Sequence, residues 1–270
     1  MGTQVPAGAG FSVLIPRASR NPSAVINAKI NNKILAVWKK HFDNDKEVYA
    51  PIFYDDFKQG GLLFIGINPS LNPKGQKKLK EGTEFEHLDP SFYLWRNIAS
   101  DPAHVDTCIR SGRRVHEKYR YFARMHEMTK AYKTHFQHID LFVYRQTKQK
   151  EFLPMIREDR KGKLNEFGRD QIAIFLEALK EIHPAVIVVS NAVASKIIKE
   201  QLKDDLSFDD ERGFHWLALD GVRVPIFFSS MLSGGGALDT GSYERLKWHV
   251  GKAFGYKPKP PRLSAKVELF

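Results

Sequence analysis

Four short apolar runs, at 62–67, 138–143, 185–189 and 224–228, limit more than any other feature what this chain can fold into. Each is continuous rather than alternating, which is the pattern of a strand covered on both faces in a parallel sheet. Stretches of helical character separate them: 24–42 before the first run, 116–135 before the second, 169–182 before the third, 192–202 after the third and 243–254 after the fourth. Within 169–182, Ile172, Phe175, Leu176 and Leu179 fall at i, i+3, i+4 and i+7 and share one helix face. The alternation predicts an α/β single domain with a central, mainly parallel four-stranded sheet flanked by helices. Ligands then belong at the carboxyl ends of the strands, where the loops emerge.

The ends of the chain read differently. Residues 1–22 are rich in Gly, Pro and small residues and read as a loosely ordered arm that packs through Phe11, Val13, Leu14 and Ile15. Residues 257–270 open with Lys-Pro-Lys-Pro-Pro-Arg, whose prolines lack donors and fix φ, and read as a surface tail. The domain is expected over 23–256. Its 75–135 stretch is longer than a strand connection needs and reads as a basic helical insertion. With 270 residues a core needs no staples. Cys108 is the single cysteine, which excludes an internal disulfide framework and any multi-cysteine zinc or iron–sulfur site, and fits a reducing, cytoplasmic setting. No apolar run approaches the ~20 residues that span a bilayer, and the start lacks a charged segment leading into a long apolar one, so no membrane partner is expected.

Charge narrows the partners. The sequence carries 42 Lys and Arg against 31 Asp and Glu, a net +11. Such an excess draws polyanions by counterion release, with nucleic acid the first candidate, although a basic surface also serves solubility alone. Inside the insertion, Lys77, Lys78, Lys80, Arg110, Arg113, Arg114, Lys118, Arg120 and Arg124 interleave with Tyr119, Tyr121 and Phe122. Basic residues among aromatics suit a nucleic-acid backbone and exposed bases; a solvated amphipathic helix gives the same pattern. His87, His104, His116, His126, His135 and His138 make no tight ligand pattern with Cys108, so no metal is expected.

The segments after the strands carry the chemistry. After the first comes Gly66-Ile67-Asn68-Pro69-Ser70-Leu71-Asn72-Pro73, a turn able to hold Asn68 at the sheet edge, though Asn-Pro also marks many plain turns. The second run holds Asp140 and leads to Arg145, which read either as an ion pair or as ligand contacts. Ser190-Asn191 opens a helix whose free N–H groups suit a phosphate or an ordinary N-cap. The fourth strand runs into Ser229-Ser230-Met231-Leu232-Ser233-Gly234-Gly235-Gly236-Ala237-Leu238. Its glycines permit close approach to a ligand, but the Gly-Lys-Ser/Thr ending of a nucleoside-triphosphate loop is absent. Leu238 reads either as a wedge for a base stack or as a buried anchor.

Taken in order, these segments resemble the uracil-DNA glycosylase superfamily, most closely its mismatch-specific and related bacterial and phage-associated branches, over about 61–254. Gly66-Ile67-Asn68-Pro69-Ser70 matches the first motif, G-x-N-P-G. Ile139-Asp140 and Arg145-Gln146-Thr147 stand where the family strand ends in a pyrimidine-reading asparagine followed by a basic turn. His183-Pro184 and Ser190-Asn191 match the third strand and its helix start. Ser230-Met231-Leu232-Ser233-Gly234 falls on the second motif, H-P-S or N-P-S, with Tyr243 to Leu246 in the following helix. The resemblance implies base flipping and monofunctional hydrolysis of an N-glycosidic bond, with DNA as partner and no cofactor or metal. It implies that Asn68 holds the water, that Gly66, Ile67, Phe85, Asp140 and Met231 surround the base, and that Ser70, Arg145, Ser190, Asn191, Ser233, Gly234, Gly235, Gly236 and Leu238 meet the DNA. Phe92, Tyr93 and Trp95 compete with Phe85 for the ring over the base. A monomer suits an enzyme that scans a duplex.

Two departures bear on the substrate. Ser230 and Met231 stand where the family places its leaving-group donor, and Asp140 replaces the asparagine. An ionised carboxylate only accepts hydrogen bonds, which favours cytosine's exocyclic amine over uracil and points to a modified cytosine. A catalytically silent base-binding module and a nucleoside- or nucleotide-acting enzyme remain as alternatives, and the sequence is equally consistent with repair and with attack on foreign modified DNA.

Overall fold

The computed structural model describes residues 27–255 apart from 44, 46, 71, 102, 160, 161 and 235. The expected arm (1–22) and tail (257–270), together with Leu71 and Gly235, lie outside the described residues.

Helix α1 (Ala28–Phe42) precedes the first strand, β1 (Leu62–Gly66). Helices α2 (Pro73–Lys80), α3 (Trp95–Ser100), α4 (Ala103–Lys118) and α5 (Ala123–Tyr132) follow before β2 (Phe136–Asp140). Then come α6 (Gln149–Ile156), α7 (Glu166–Ile182), β3 (Val186–Ser190) and α8 (Ala192–Gln201). The chain continues through β4 (Leu206–Asp209), β5 (Phe214–Leu219), β6 (Val222–Ser229) and α9 (Thr240–Ala253). The strands form one sheet in the order β2-β1-β3-β6-β5-β4. The four expected strands are all present and parallel, and β5 and β4 extend them antiparallel, so the sheet is mixed and six-stranded rather than four-stranded.

Successive residues of each central strand feed opposite cores, as the pleat requires. Leu63, Ile65, Ile187 and Val189 pack with α1, α7 and α8 on one face; Leu62, Phe64, Val186 and Val188 pack with α5 and α9 on the other. Both faces are covered, which is why the runs are continuously apolar.

Three local expectations are corrected. The second strand lies at Phe136–Asp140, not 138–143, because the Val143 N–H is taken by the Gln171 side chain (2.9 Å) and the apolar run continues as a buried loop. The helix expected over 116–135 is broken: α4 ends at Lys118, a 3-10 turn spans Arg120–Phe122, and α5 begins at Ala123. The break lets Phe122 stack on His116 with ring centroids 3.5 Å apart and brings Tyr121 edge-on to His138 at 5.7 Å. Finally, β4 and β5 were not expected at all. Among the described residues no helix is long and apolar enough to cross a membrane.

Candidate functional site

Connections from β1 run toward β2, and those from β3 run toward β6, so the strand order reverses between β1 and β3. Open α/β sheets place ligands outside the carboxyl ends at such a point. Here a cleft of about 550 Å³ opens there, lined by Asn68 after β1, Asp140 at the end of β2, Asn191 after β3 and Met231 after β6.

The floor is set by strand register. Gly66 of β1 stands opposite Asp140 of β2. A Cβ on residue 66 would overlap Asp140 Oδ1 and come within 3.1 Å of His138 Nε2. The glycine is therefore required by the carboxyl group that leans across it, and its role is space rather than backbone freedom.

Four carboxyl groups line the cleft, and only one is left in the floor without a cation. Asp55 is paired with Arg113, Glu117 with Arg114 (3.2 Å), and Asp56 is exposed to water. Asp140 is 8% exposed. Burial pushes its carboxyl up to about 7, opposed only by the field of Arg145. Arg145 itself is half-buried, donates from Nε to the Ala50 carbonyl (2.9 Å) and lies over Tyr93 (5.5 Å), so the Asp140–Arg145 ion pair weighed from the sequence gives way to a longer-range interaction. The imidazoles supply no charge either. Burial lowers His138 to about 3 and His116 to about 4, so both are neutral, and His138 Nε2 is buried without a partner.

Asn68 ties the rim together. Its amide nitrogen donates to the carbonyls of Gln146 (2.7 Å), Tyr144 (3.3 Å) and Pro69 (3.3 Å). Only the NH₂ end of an amide fits among three carbonyl oxygens, which turns Oδ1 the other way, without a donor among the described residues. An acceptor so held at the cleft rim suits a water molecule.

The other expected residues divide into two groups. Ile67 and Met231 line the cleft, and Ser70 sits at its mouth, 3.2 Å from the Thr147 hydroxyl. Ser190 and Asn191 serve mainly as structure. Ser190 donates to the Ile65 carbonyl (3.2 Å), and Asn191 Oδ1 caps α8 by accepting from Val193 and Ala194 N–H. The glycine segment folds over Met231, whose Cε lies 3.5 and 3.6 Å from where Cβ atoms of Gly234 and Gly236 would stand. Arg124 clamps this segment by donating to the Leu232 and Leu238 carbonyls (2.9 and 3.0 Å), while Ser233 donates to the Tyr121 carbonyl (3.0 Å). Leu238 is half-buried against the core beside α5 and α9, so the anchor reading fits it better than the free wedge.

Phe85 is corrected. It is buried away from the cleft, with Arg110 over its ring at 5.5 Å. The rings that do face the cleft include Tyr93, Tyr54, Tyr119 and Tyr121. Tyr121 has its phenol pushed up to about 12 by burial and by Asp140. Tyr119, 43% exposed, stacks on it at 5.8 Å and extends the aromatic wall outward. Both come from the 3-10 break, for which the sequence offers neither glycine nor proline as a signal.

The basic insertion is also more engaged than its composition implies. Lys80 is buried, donating to the Leu88 carbonyl and lying 5.2 Å from the Tyr93 ring centre, while Arg113, Arg114 and Arg124 are held as described above. Exposed cations beside the cleft are Lys74, Lys77 and Lys78 on α2 and Arg120 between the two tyrosines. Among the described residues no group of three or more His, Cys, Asp or Glu side chains is placed to hold a metal ion. No protein-family model and no curated protein matches the chain.

Proposed function

We propose that this chain is a DNA glycosylase of the uracil-DNA glycosylase superfamily, which flips a modified or mispaired base into the cleft and hydrolyses its N-glycosidic bond. One observation carries the reading: Asn68, Asp140 and Met231, which the resemblance assigns to water, base edge and base surround, come from three different strands and line one cleft. Its volume of about 550 Å³ lies within the range for small-molecule sites and admits a nucleotide. Tyr121 and Tyr119 supply the aromatic wall for a flipped base, and the exposed Lys74, Lys77, Lys78 and Arg120, close in the chain to the cleft-lining Gln76, Tyr119 and Tyr121, offer charge for the phosphate backbone.

The state of Asp140 alters the substrate argument. A carboxyl near 7 is partly protonated at neutral pH and then presents a donor beside an acceptor, the pattern of an asparagine amide. Below that pH the site fits a pyrimidine edge with a carbonyl beside an N–H; above it, an exocyclic amine such as that of a modified cytosine.

The test is incubation with single- and double-stranded oligonucleotides carrying uracil, hypoxanthine or modified cytosines at pH 6 and 8, followed by alkali. Strand scission that requires the protein is the expected result. Retention of the oligonucleotide in a gel without scission identifies instead the silent base-binding module, which the Ser230-Met231 departure favours. Release of bases from free nucleosides alone identifies a nucleoside hydrolase.

A further inference from the structure

We propose that Asp140, acting as a carboxylic acid, delivers the proton that the departing base needs, in place of the donor missing at Ser230-Met231. The inference rests on the glycosylase reading and assigns a chemical role within that site.

Departure of a base requires stabilisation of the electron pair left by the C1′–N bond, and a positioned acid supplies it by proton transfer. The other polar groups at this end of the cleft are committed or in the wrong state. The Tyr54 and Tyr121 phenols are pushed up by burial and by Asp140, which makes them far weaker acids than a carboxyl group. The Arg145 Nε is held by the Ala50 carbonyl, and a guanidinium does not give up its proton in a protein. His116 and His138 are neutral imidazoles at neutral pH, so neither offers the acidic proton of an imidazolium. Asp140 is buried, has no ion-pair partner among the described residues, and occupies space that only a glycine at 66 leaves open. The groups facing it are Gly66 from β1, His138 from its own strand, Tyr54, Tyr121 and Arg145. Of these only Arg145 is charged, and its field moderates the effect of burial without cancelling it.

The step balances. The C1′–N bond breaks with its electron pair passing to the base. The Asp140 O–H bond breaks, and its proton goes to a carbonyl oxygen or ring nitrogen of that base. Water held by Asn68 adds its oxygen to C1′ and releases a proton to solvent, from which the Asp140 carboxylate is reprotonated. The products are the neutral base and the abasic sugar, with the enzyme unchanged.

Single-turnover release of the best base found in the panel, followed from about pH 5 to 9, tests this with wild type, Asp140→Asn and Asp140→Glu, each shown to be folded by its melting transition. The wild-type rate is expected to be level at low pH and to fall about tenfold per unit above the Asp140 titration. Asp140→Asn is expected to be slower by on the order of 10²–10⁴-fold with no such limb, and Asp140→Glu to regain it. A more acidic leaving base, 5-fluorouracil in place of uracil, should recover much of the Asp140→Asn loss, which a merely structural defect would not allow. A pH-independent wild-type rate, an Asp140→Asn variant as fast as wild type, or an equal deficit on both bases overturns the proton donor while leaving the glycosylase. Absence of base release by wild type from every substrate overturns the glycosylase reading and the donor with it.

Discussion

The two edge strands of the sheet both end in aspartate, and the two aspartates behave in opposite ways. Asp209 closes β4, where Trp216 Nε1 (2.9 Å), Arg212 Nη1 (2.8 Å) and the Arg212 N–H (2.9 Å) all donate to it and hold it down to about 2. Asp140 closes β2 with no cation in contact among the described residues, and burial carries it up to about 7. Residue type and place in the strand are the same; the partners differ. A carboxylate with a full set of donors is a structural tie, whereas one buried at a cleft floor without them is held in a state of use to chemistry.

The largest effect that bears on this contrast is expected at the rim. Asn68→Ala removes the acceptor for water and should slow base release by about 10²–10³-fold, while salt-dependent DNA binding, measured by fluorescence anisotropy, stays close to wild type. Full activity in this variant would remove Asn68 from the reaction.

Stability should separate the two aspartates in opposite directions. Because Asp140 titrates higher in the folded than in the unfolded state, the folded protein is penalised progressively between about pH 4 and 7, and Asp140→Asn should gain on wild type across that window, by at most about 1.4 kcal/mol per pH unit. Asp209 titrates lower when folded, so its stabilisation is present above about pH 4 and lost as pH falls toward 2; Asp209→Asn should be weaker than wild type at pH 7 and converge with it near pH 2. Urea unfolding of both variants at several pH values checks this, and parallel pH trends would break the contrast. The smallest effect concerns the aromatic wall. Tyr119→Ala should weaken single-stranded DNA binding by about 1 kcal/mol, roughly fivefold, with little change in the pH profile.

The parallel core of the sheet was legible because burial on both faces leaves continuous apolar runs. The edge hairpins were not, because Leu206–Asp209 exposes two of its four residues and offers no such run. One available signal was Asp220-Gly221, which turns between β5 and β6 with φ of 48° and 82° and is a strong hairpin dipeptide. In the site, Asn68 was legible since the end of the first strand locates it, whereas Asp140 was singled out by the resemblance although the expected strand ran past it to Val143. The aromatic wall was not: choosing Tyr121 over Phe85 requires knowing that the helix breaks at Tyr119, and neither glycine nor proline marks that break. Nor does sequence alone reveal that the Asp140 carboxyl is carried up to about 7, since that follows from its burial at the cleft floor.

The most direct test of this account is a ¹³C NMR titration of the aspartate side-chain carboxyls, with Asp140 and Asp209 assigned by their Asn variants. The account predicts an Asp140 midpoint near 7 and an Asp209 midpoint near 2. An Asp140 carboxyl that titrates with ordinary surface carboxylates would contradict it.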